Sequence, residues 1–358
     1  MTKNQKNICS IIALLVLAGL IFSVNEFASQ SSMLRTILQL GAIYALASVS
    51  MNLLNGFTGL FSLGQAGFMA IGAYAFAIFT IPVKNKPMVY YLYGISDGLA
   101  NVELPSWLGL ILAGLIAALL AALIGAPVLR LKSDYFAIAT LGFSEIVRIL
   151  VASSPFNTIT NGSLGLKLIP GYSSYYTPFI IVFICIVIIV LLIKSSYGRA
   201  FKAIREDEIA AEAMGINLAK HKQLSFIISS FFAGIAGALL AMYLGAITST
   251  TFPIMLTYNI LLIVVIGGMG SVTGSIISAF LVTAAKEWWL RFLDQTMIIA
   301  GIQVPFLRTG FRMVVFSIIL MVVVLFWRRG IMGQKEFSWD GIYRFFTRKS
   351  RKGGAVNE

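Results

Sequence analysis

Residues 197–222 read YGRAFKAIREDEIAAEAMGINLAKHK, a polar stretch between two apolar segments that are each long enough to cross a bilayer. Two spans joined by a charged connector leave that connector outside the membrane, where it can be grasped by something else. Within it, Glu206, Asp207 and Glu208 crowd the start of a short helical run, where negative charge suits the positive end of a helix dipole. Gly215 can take the left-handed conformation that ends the run. Between these signals Ala210, Ala213 and Met214 fall three and four apart, so they share one face. A short helix with a small apolar face is expected, fit either to lie on a membrane surface or to enter a cleft on a partner.

Composition places the rest of the chain in the same setting. Of 358 residues 58% are hydrophobic and 11% charged, against about a quarter charged in soluble domains. The mean hydropathy is +0.89. A net charge of +13 would suit nucleic acid, but the basic residues gather beside apolar segments, the pattern of the positive-inside rule. Cys9 and Cys185 both lie in apolar segments and form no spaced pair, which supports neither a disulfide framework nor a metal site. The single histidine, His221, reads as a solvated loop residue.

Ten spans follow in order, at about 8–24, 33–54, 63–81, 107–129, 135–152, 177–193, 224–244, 255–266, 275–289 and 309–327. The first could also be the apolar core of a signal peptide, but no small-x-small cleavage site follows it. Between the second and third, Asn52, Asn55, Thr58, Ser62 and Gln65 stand among glycines at membrane depth. Irregular backbone survives there only when buried in protein or lining a wet cavity, so these five are candidates for a translocation path. Close helix packing is the other reading of the same residues, and the two are compatible. Residues 82–106 carry lysines, acids, prolines and tyrosines, as an external loop does. In the fifth span Glu145 and Arg148, three apart, can neutralise each other, in a functional or a structural role. The glycine run GGMGSVTG at 267–274 reads as a tight turn, since a phosphate-binding loop needs a lysine after its last glycine and Ser275 stands there.

With the amino terminus in the cytoplasm and all ten spans crossing, the inner segments hold most of the 27 Lys and Arg, and both termini are cytoplasmic. The same orientation puts residues 195–223 in the cytoplasm. No zinc-protease motif, metal-spaced cysteine pair or nucleophile elbow is present, so no catalytic residue, metal ligand or cofactor-binding residue is assigned. The expected fold is all-α and polytopic, with residues 1–333 as the transmembrane domain and 334–358 as a basic tail. That tail interleaves Arg344, Arg348, Lys349, Arg351 and Lys352 with aromatic residues, a composition suited to anionic lipid.

Two stretches carry a family resemblance. Residues 198–222 resemble the cytoplasmic loop of membrane subunits of ABC importers of the LivM and LivH type, the permeases for branched-chain amino acids. Of the general importer motif Glu-Ala-Ala, three residues, Gly, the chain keeps Ala210, Ala211 and Gly215, whereas Ile209 stands at the Glu position and the acid sits at Glu208. The stretch NLLNGFTGLFSLGQAGFMAIGAYAFA at 52–77 is similar to a second pattern of the LivM type. The end of the last span reads WRRGIMG where the family often has RPQGLLG. The resemblance implies a coupling helix that sits on an ATPase subunit, formed by Glu206, Asp207, Glu208, Ala210, Ala211, Glu212, Met214 and Gly215. It also implies a second permease subunit of the LivH type, two ABC ATPase subunits that bind ATP in this chain's stead, a periplasmic or lipid-anchored solute-binding protein, and a bacterial inner membrane location. Leucine, isoleucine and valine are the implied cargo, with urea or another small polar solute as the alternative. An ion-coupled transporter working alone is a third reading, but it leaves the loop unexplained.

Overall fold

Helices form where the apolar segments lie, and several start at prolines. Pro105 and Pro253 stand just before a first turn and Pro178 inside one, positions at which the missing N–H costs nothing. The computed structural model describes residues 33–130 and 133–289, together with 19, 21–26 and short pieces at 298–299, 302–303, 314–315, 318, 321, 330–333 and 336. In chain order the main elements are α1 Met33–Asn52, which runs into a π-turn at Leu53–Phe57, then α2 Gln65–Thr80, α3 Ser106–Val128, α4 Ser133–Ala152 and α5 Thr177–Lys194. They continue with α6 Ser196–Glu206, α7 Glu208–Ala213, α8 Leu218–Leu244, α9 Ile254–Gly267 and α10 Val272–Ala284, the last running into a π-turn at Ala285–Trp289. Strand is confined among the described residues to a ladder of β1 Ile298–Ile299 with β2 Ile302–Gln303, plus a bridge from Leu166 to Ile247.

Six helices among the described residues are long and apolar enough to cross a membrane, and seven if α2 and the bent piece Val83–Val89 that follows it at 97° count as one. The chain is thus a multi-pass helical membrane protein. The count differs from the expected ten for two reasons. The spans expected at 8–24 and 309–327 lie mostly outside the described residues. Those expected at 63–81 and 275–289 are helices of 16 and 13 residues, which at 1.5 Å per residue reach about 24 and 20 Å against a hydrocarbon core of about 30 Å. The first starts only after irregular backbone at 58–64, and the second gives way to the π-turn at Ala285–Trp289.

Depth of burial sorts the spans. In α1 and α8, 78% of the apolar window is buried, and in α4 and α5 only 28%, so the first pair is the core and the second faces outward. α8 packs on α1, α2 and α3. Its contact with α2 is backbone against backbone: a Cβ on Gly237 would lie 1.9 Å from the Met69 carbonyl oxygen, and one on Gly72 2.1 Å from that of Gly234. Small residues at these crossings let dispersion act over the full helix surface, which is the main cohesive force where lipid tails are as apolar as leucine. At one end the loop of residues 82–106 is pinned by buried Lys86, whose ammonium donates to the carbonyls of Leu99 and Val102, and by Glu103, which accepts from the Val83 N–H at 2.9 Å.

Replacing Gly237 with Ala forces these backbones apart and is expected to cost about 1–3 kcal/mol, read as a lowered melting temperature in detergent. Gly142, in α4 with nothing within 4 Å of a Cβ, is the control. Gly142→Ala should leave the melting temperature unchanged or raise it slightly.

Candidate functional site

The polar stretch identified at membrane depth is where α1 ends, and its side chains replace the hydrogen bonds that the broken helix loses. Asn52 is fully buried; its amide nitrogen donates to the Ser271 carbonyl at 2.9 Å and to Ser275 Oγ at 2.8 Å, and its oxygen accepts from the Gly270 N–H at 2.8 Å. One side chain thereby joins the end of α1 to the joint between α9 and α10. Asn55 closes a local ring with Ser62, accepting from its N–H at 3.1 Å and donating to its carbonyl at 3.3 Å. Thr58 Oγ1 donates to the Leu53 carbonyl at 3.1 Å, and Ser62 Oγ accepts from the Gly64 N–H at 3.3 Å. Gln65 reaches back to α1, donating to the Ala47 carbonyl at 2.9 Å and Ser50 Oγ at 2.7 Å. Threonines from two other helices complete the repair: Thr140 Oγ1 accepts from the Leu63 N–H and Thr257 Oγ1 from the Ala66 N–H, both at 3.0 Å.

All five candidates are therefore brought together, each buried and each bonded within the chain. The two unwound joints also meet directly, since a Cβ on Gly56 would lie 2.4 Å from the Gly270 nitrogen. Of the two readings of this stretch, packing is the one its geometry displays. An apolar cleft of about 440 Å3, lined by side chains such as Ile71, Ile116 and Val147, lies elsewhere and touches none of the five.

The polar loop folds as two helices with a break at Asp207. Asp207 is extended, with φ −159°, and its carboxylate caps α7 by accepting from the N–H groups of Ile209 at 2.8 Å and Ala210 at 3.0 Å. Its own N–H closes α6 on the Ala203 carbonyl. Glu206 thus belongs to the end of α6, where it pairs with Arg205, and the short helix starts with Glu208. Gly215 ends the run as expected, with φ +82°, and the Ile216 N–H returns to the Ala211 carbonyl at 3.1 Å. Lys222 of α8 pairs with Glu208 at 2.6 Å and ties the loop to the next span.

Ala210, Glu212, Ala213 and Met214 are exposed, whereas Ala211 is buried against its own chain. Ile209 and Met214 are 82% and 83% exposed, the apolar tip of an otherwise polar loop. In the sequence Ile209 is marked only as the residue standing at the Glu position of the importer motif. Arg205 was not singled out at all, yet it connects the loop to the core: its Nη1 donates to the Gly56 carbonyl at 3.0 Å. Its backbone and Cβ lie 3.2 to 3.3 Å from where a Cβ on Gly59 would stand. The basic, aromatic-rich tail at 334–358 lies outside the described residues except for Glu336. In α4, Glu145 and Arg148 form an ion pair at 2.7 Å, each partly exposed. No group of three or more metal-ligating side chains gathers among the described residues.

Interrupted helices bonded to one another, with a capped helix tied to them through Arg205, make up a multi-pass membrane protein. A family model described as "Branched-chain amino acid transport system / permease component" matches residues 33–325. The chain belongs to that family, one of transport permeases rather than enzymes. It is 34% identical over 293 residues to the high-affinity branched-chain amino acid transport system permease protein LivM of Escherichia coli K12 and of Salmonella typhimurium, covering 72% of this chain and 64% of each relative. It is 24% identical over 324 residues to LivH of Escherichia coli K12, covering 83% of this chain and 93% of the relative. The chain thus spans slightly less than two thirds of the LivM proteins it matches. No solved structure matches it.

Asn52→Leu removes three hydrogen bonds and leaves the Gly270 N–H and the Ser271 carbonyl buried without that partner. The Ser271 carbonyl keeps the N–H and hydroxyl of Ser275, so the Gly270 N–H is the orphaned group, and a cost of about 1–3 kcal/mol is expected, visible as a lowered melting temperature in detergent. Thr58→Val, which loses one bond inside a single turn, should fall by less.

Proposed function

We propose that this chain is a permease subunit of an ATP-binding-cassette importer in a bacterial inner membrane, which carries branched-chain amino acids delivered by a solute-binding protein. The observation that supports this best is the loop: two exposed apolar side chains, Ile209 and Met214, on a capped helix outside the spans, joined by Arg205 to the joint at Gly56. Its partners in this reading are a LivH-type permease, two ATPase subunits and the binding protein, and ATP is bound by the ATPases. The relatives' names supply the cargo class, leucine, isoleucine and valine.

The work is alternating access. ATP closes the ATPase pair, and the pair carries α7 because Ile209 and Met214 are seated in it. The coupling surface is then the outer face of α7 with Glu208, Ala210, Glu212 and Gly215 around it. Ala211 acts from beneath by holding that helix on the chain, and Glu206 and Asp207 set where the helix begins. Displacement of α7 reaches the spans at two points, through Lys222 to α8 and through Arg205 to the end of α1. The knot of Asn52, Asn55, Thr58, Ser62 and Gln65 forms the frame of the path, holding its walls while the transport surface is shared with the second permease. ATP shifts the equilibrium only by binding the two states unequally, so the loop must be gripped more firmly in one of them.

The exposed face gives a clean test, because changing it leaves the fold untouched. Ile209→Asp with Met214→Asp should preserve the amount of chain in the membrane and its melting temperature. Co-purification of ATPase subunits should be lost and uptake of labelled leucine should drop at least about tenfold, equivalent to about 1.4 kcal/mol of lost coupling. Unchanged ATPase retention would sink the assignment of this loop.

A further inference from the structure

A cleft of about 430 Å3 opens beside the loop, between α5, α6, the π-turn after α1 and the start of α10. Ile186, Val190, Ile193 and Lys194 line it from α5, at steps of four, seven and eight residues, so they form a single stripe of that helix. The stripe is apolar for about 12 Å and then ends in an ammonium group. Lys202 and Arg205 face it from α6. α6 has buried Phe201 and Ile204 on one side and exposed charge on the other, the composition of a helix lying along a membrane surface. The Lys202 ammonium stands 5.6 Å from the centre of the Phe57 ring and is held over the cleft.

The charge of the lining is unbalanced. Its one carboxylate, Glu336, accepts from the N–H groups of Val272 at 2.8 Å and Thr273 at 3.1 Å and from Thr273 Oγ1 at 2.8 Å, capping α10. Arg205 is occupied by Glu206 and the Gly56 carbonyl. Among the described residues neither Lys194 nor Lys202 forms an ion pair. Among the described residues, two unmatched ammonium groups therefore stand at the polar end of an apolar furrow. That furrow lies on α5, whose outer face, Phe183, Ile184, Val187 and Leu191, is apolar and exposed, as a lipid-facing surface is.

We propose that the cleft binds an anionic phospholipid. Its phosphate lies between Lys194 and Lys202, and one acyl chain lies along Ile193, Val190 and Ile186. A free phosphate satisfies the two lysines but leaves the furrow empty, which is why the lipid is the better fit. The lipid bridges the end of α5 to α6, the helix that carries the coupling loop.

The test is equilibrium binding of fluorescent phosphatidylglycerol to the purified permease complex in a neutral detergent. Competitors are unlabelled phosphatidylglycerol, phosphatidylcholine and inorganic phosphate. Lys194→Gln and Lys202→Gln are each expected to weaken binding about fivefold, as about 1 kcal/mol per lysine predicts. Lys202→Arg should restore it, and Lys220→Gln, on exposed α8 surface, should have no effect. Val190→Asp, which breaks the furrow and leaves both lysines, should weaken the lipid too. Equal competition by phosphatidylcholine overturns the role of headgroup charge, and equal displacement by millimolar phosphate makes this a free-anion site. Unchanged binding in both glutamine variants, with melting temperatures intact, removes the site.

Discussion

At membrane depth an N–H or carbonyl that leaves its helix finds no water, so each interruption in this chain has to be answered by another part of it. Among the described residues the interruptions after α1 and between α9 and α10 answer each other. Asn52 supplies a donor and an acceptor to the joint at 270–271, while Ser275 accepts from it. Gln65, Ser229 and the threonines of α4 and α9 close the remaining gaps, with Ser229 Oγ on the Ser50 carbonyl at 2.6 Å. The burial of α1 and α8 follows from this, because a joint that depends on so many neighbours has to sit among them.

The same arrangement gives the outer loop something firm to act upon. α6 buries Phe201 and Ile204 against the core, and its Arg205 makes a polar bond to unwound backbone. Glycine at 59 and at 270 leaves room for that side chain; a Cβ on Gly270 would stand 2.9 Å from Arg205 Nη1. A bulky residue at either place would move the strut and with it the register between loop and spans. The cleft proposed to hold lipid opens onto the same strut, so the membrane and the nucleotide-driven partner would act on neighbouring residues of α6.

The sequence made much of this legible, and the limits are physical. Helical spans followed from apolar length, and the end of α7 from Gly215, because each depends on local chemistry alone. The polar stretch at 52–65 was visible as anomalous residues at depth, but its partners were not, since Asn52 bonds to residues more than two hundred positions away. Which of the acids at 206, 207 and 208 begins α7 was not legible, because they are equivalent in a dipole argument; the cap geometry of Asp207 separates them. Periodicity placed Ala210, Ala213 and Met214 on one face, yet it could not reveal that Ala211 turns inward while Ile209 turns out. Hydropathy likewise registers apolar length and is blind to where the backbone leaves the helix.

The backbone contacts of α8 have a mechanical corollary. At Gly72 and Gly237 the two chains approach as closely as peptide groups can, with a carbonyl of each helix resting where the other lacks a Cβ. Such a contact is a ratchet seat rather than a bearing. Sliding by part of a turn would drive a carbonyl into the next side chain. Relative shear between α2 and α8 is therefore opposed, and Asn52 ties α1 to the joint at 270–271 beside them. Any relative motion of the spans is then left to the looser outer contacts of α4 and α5.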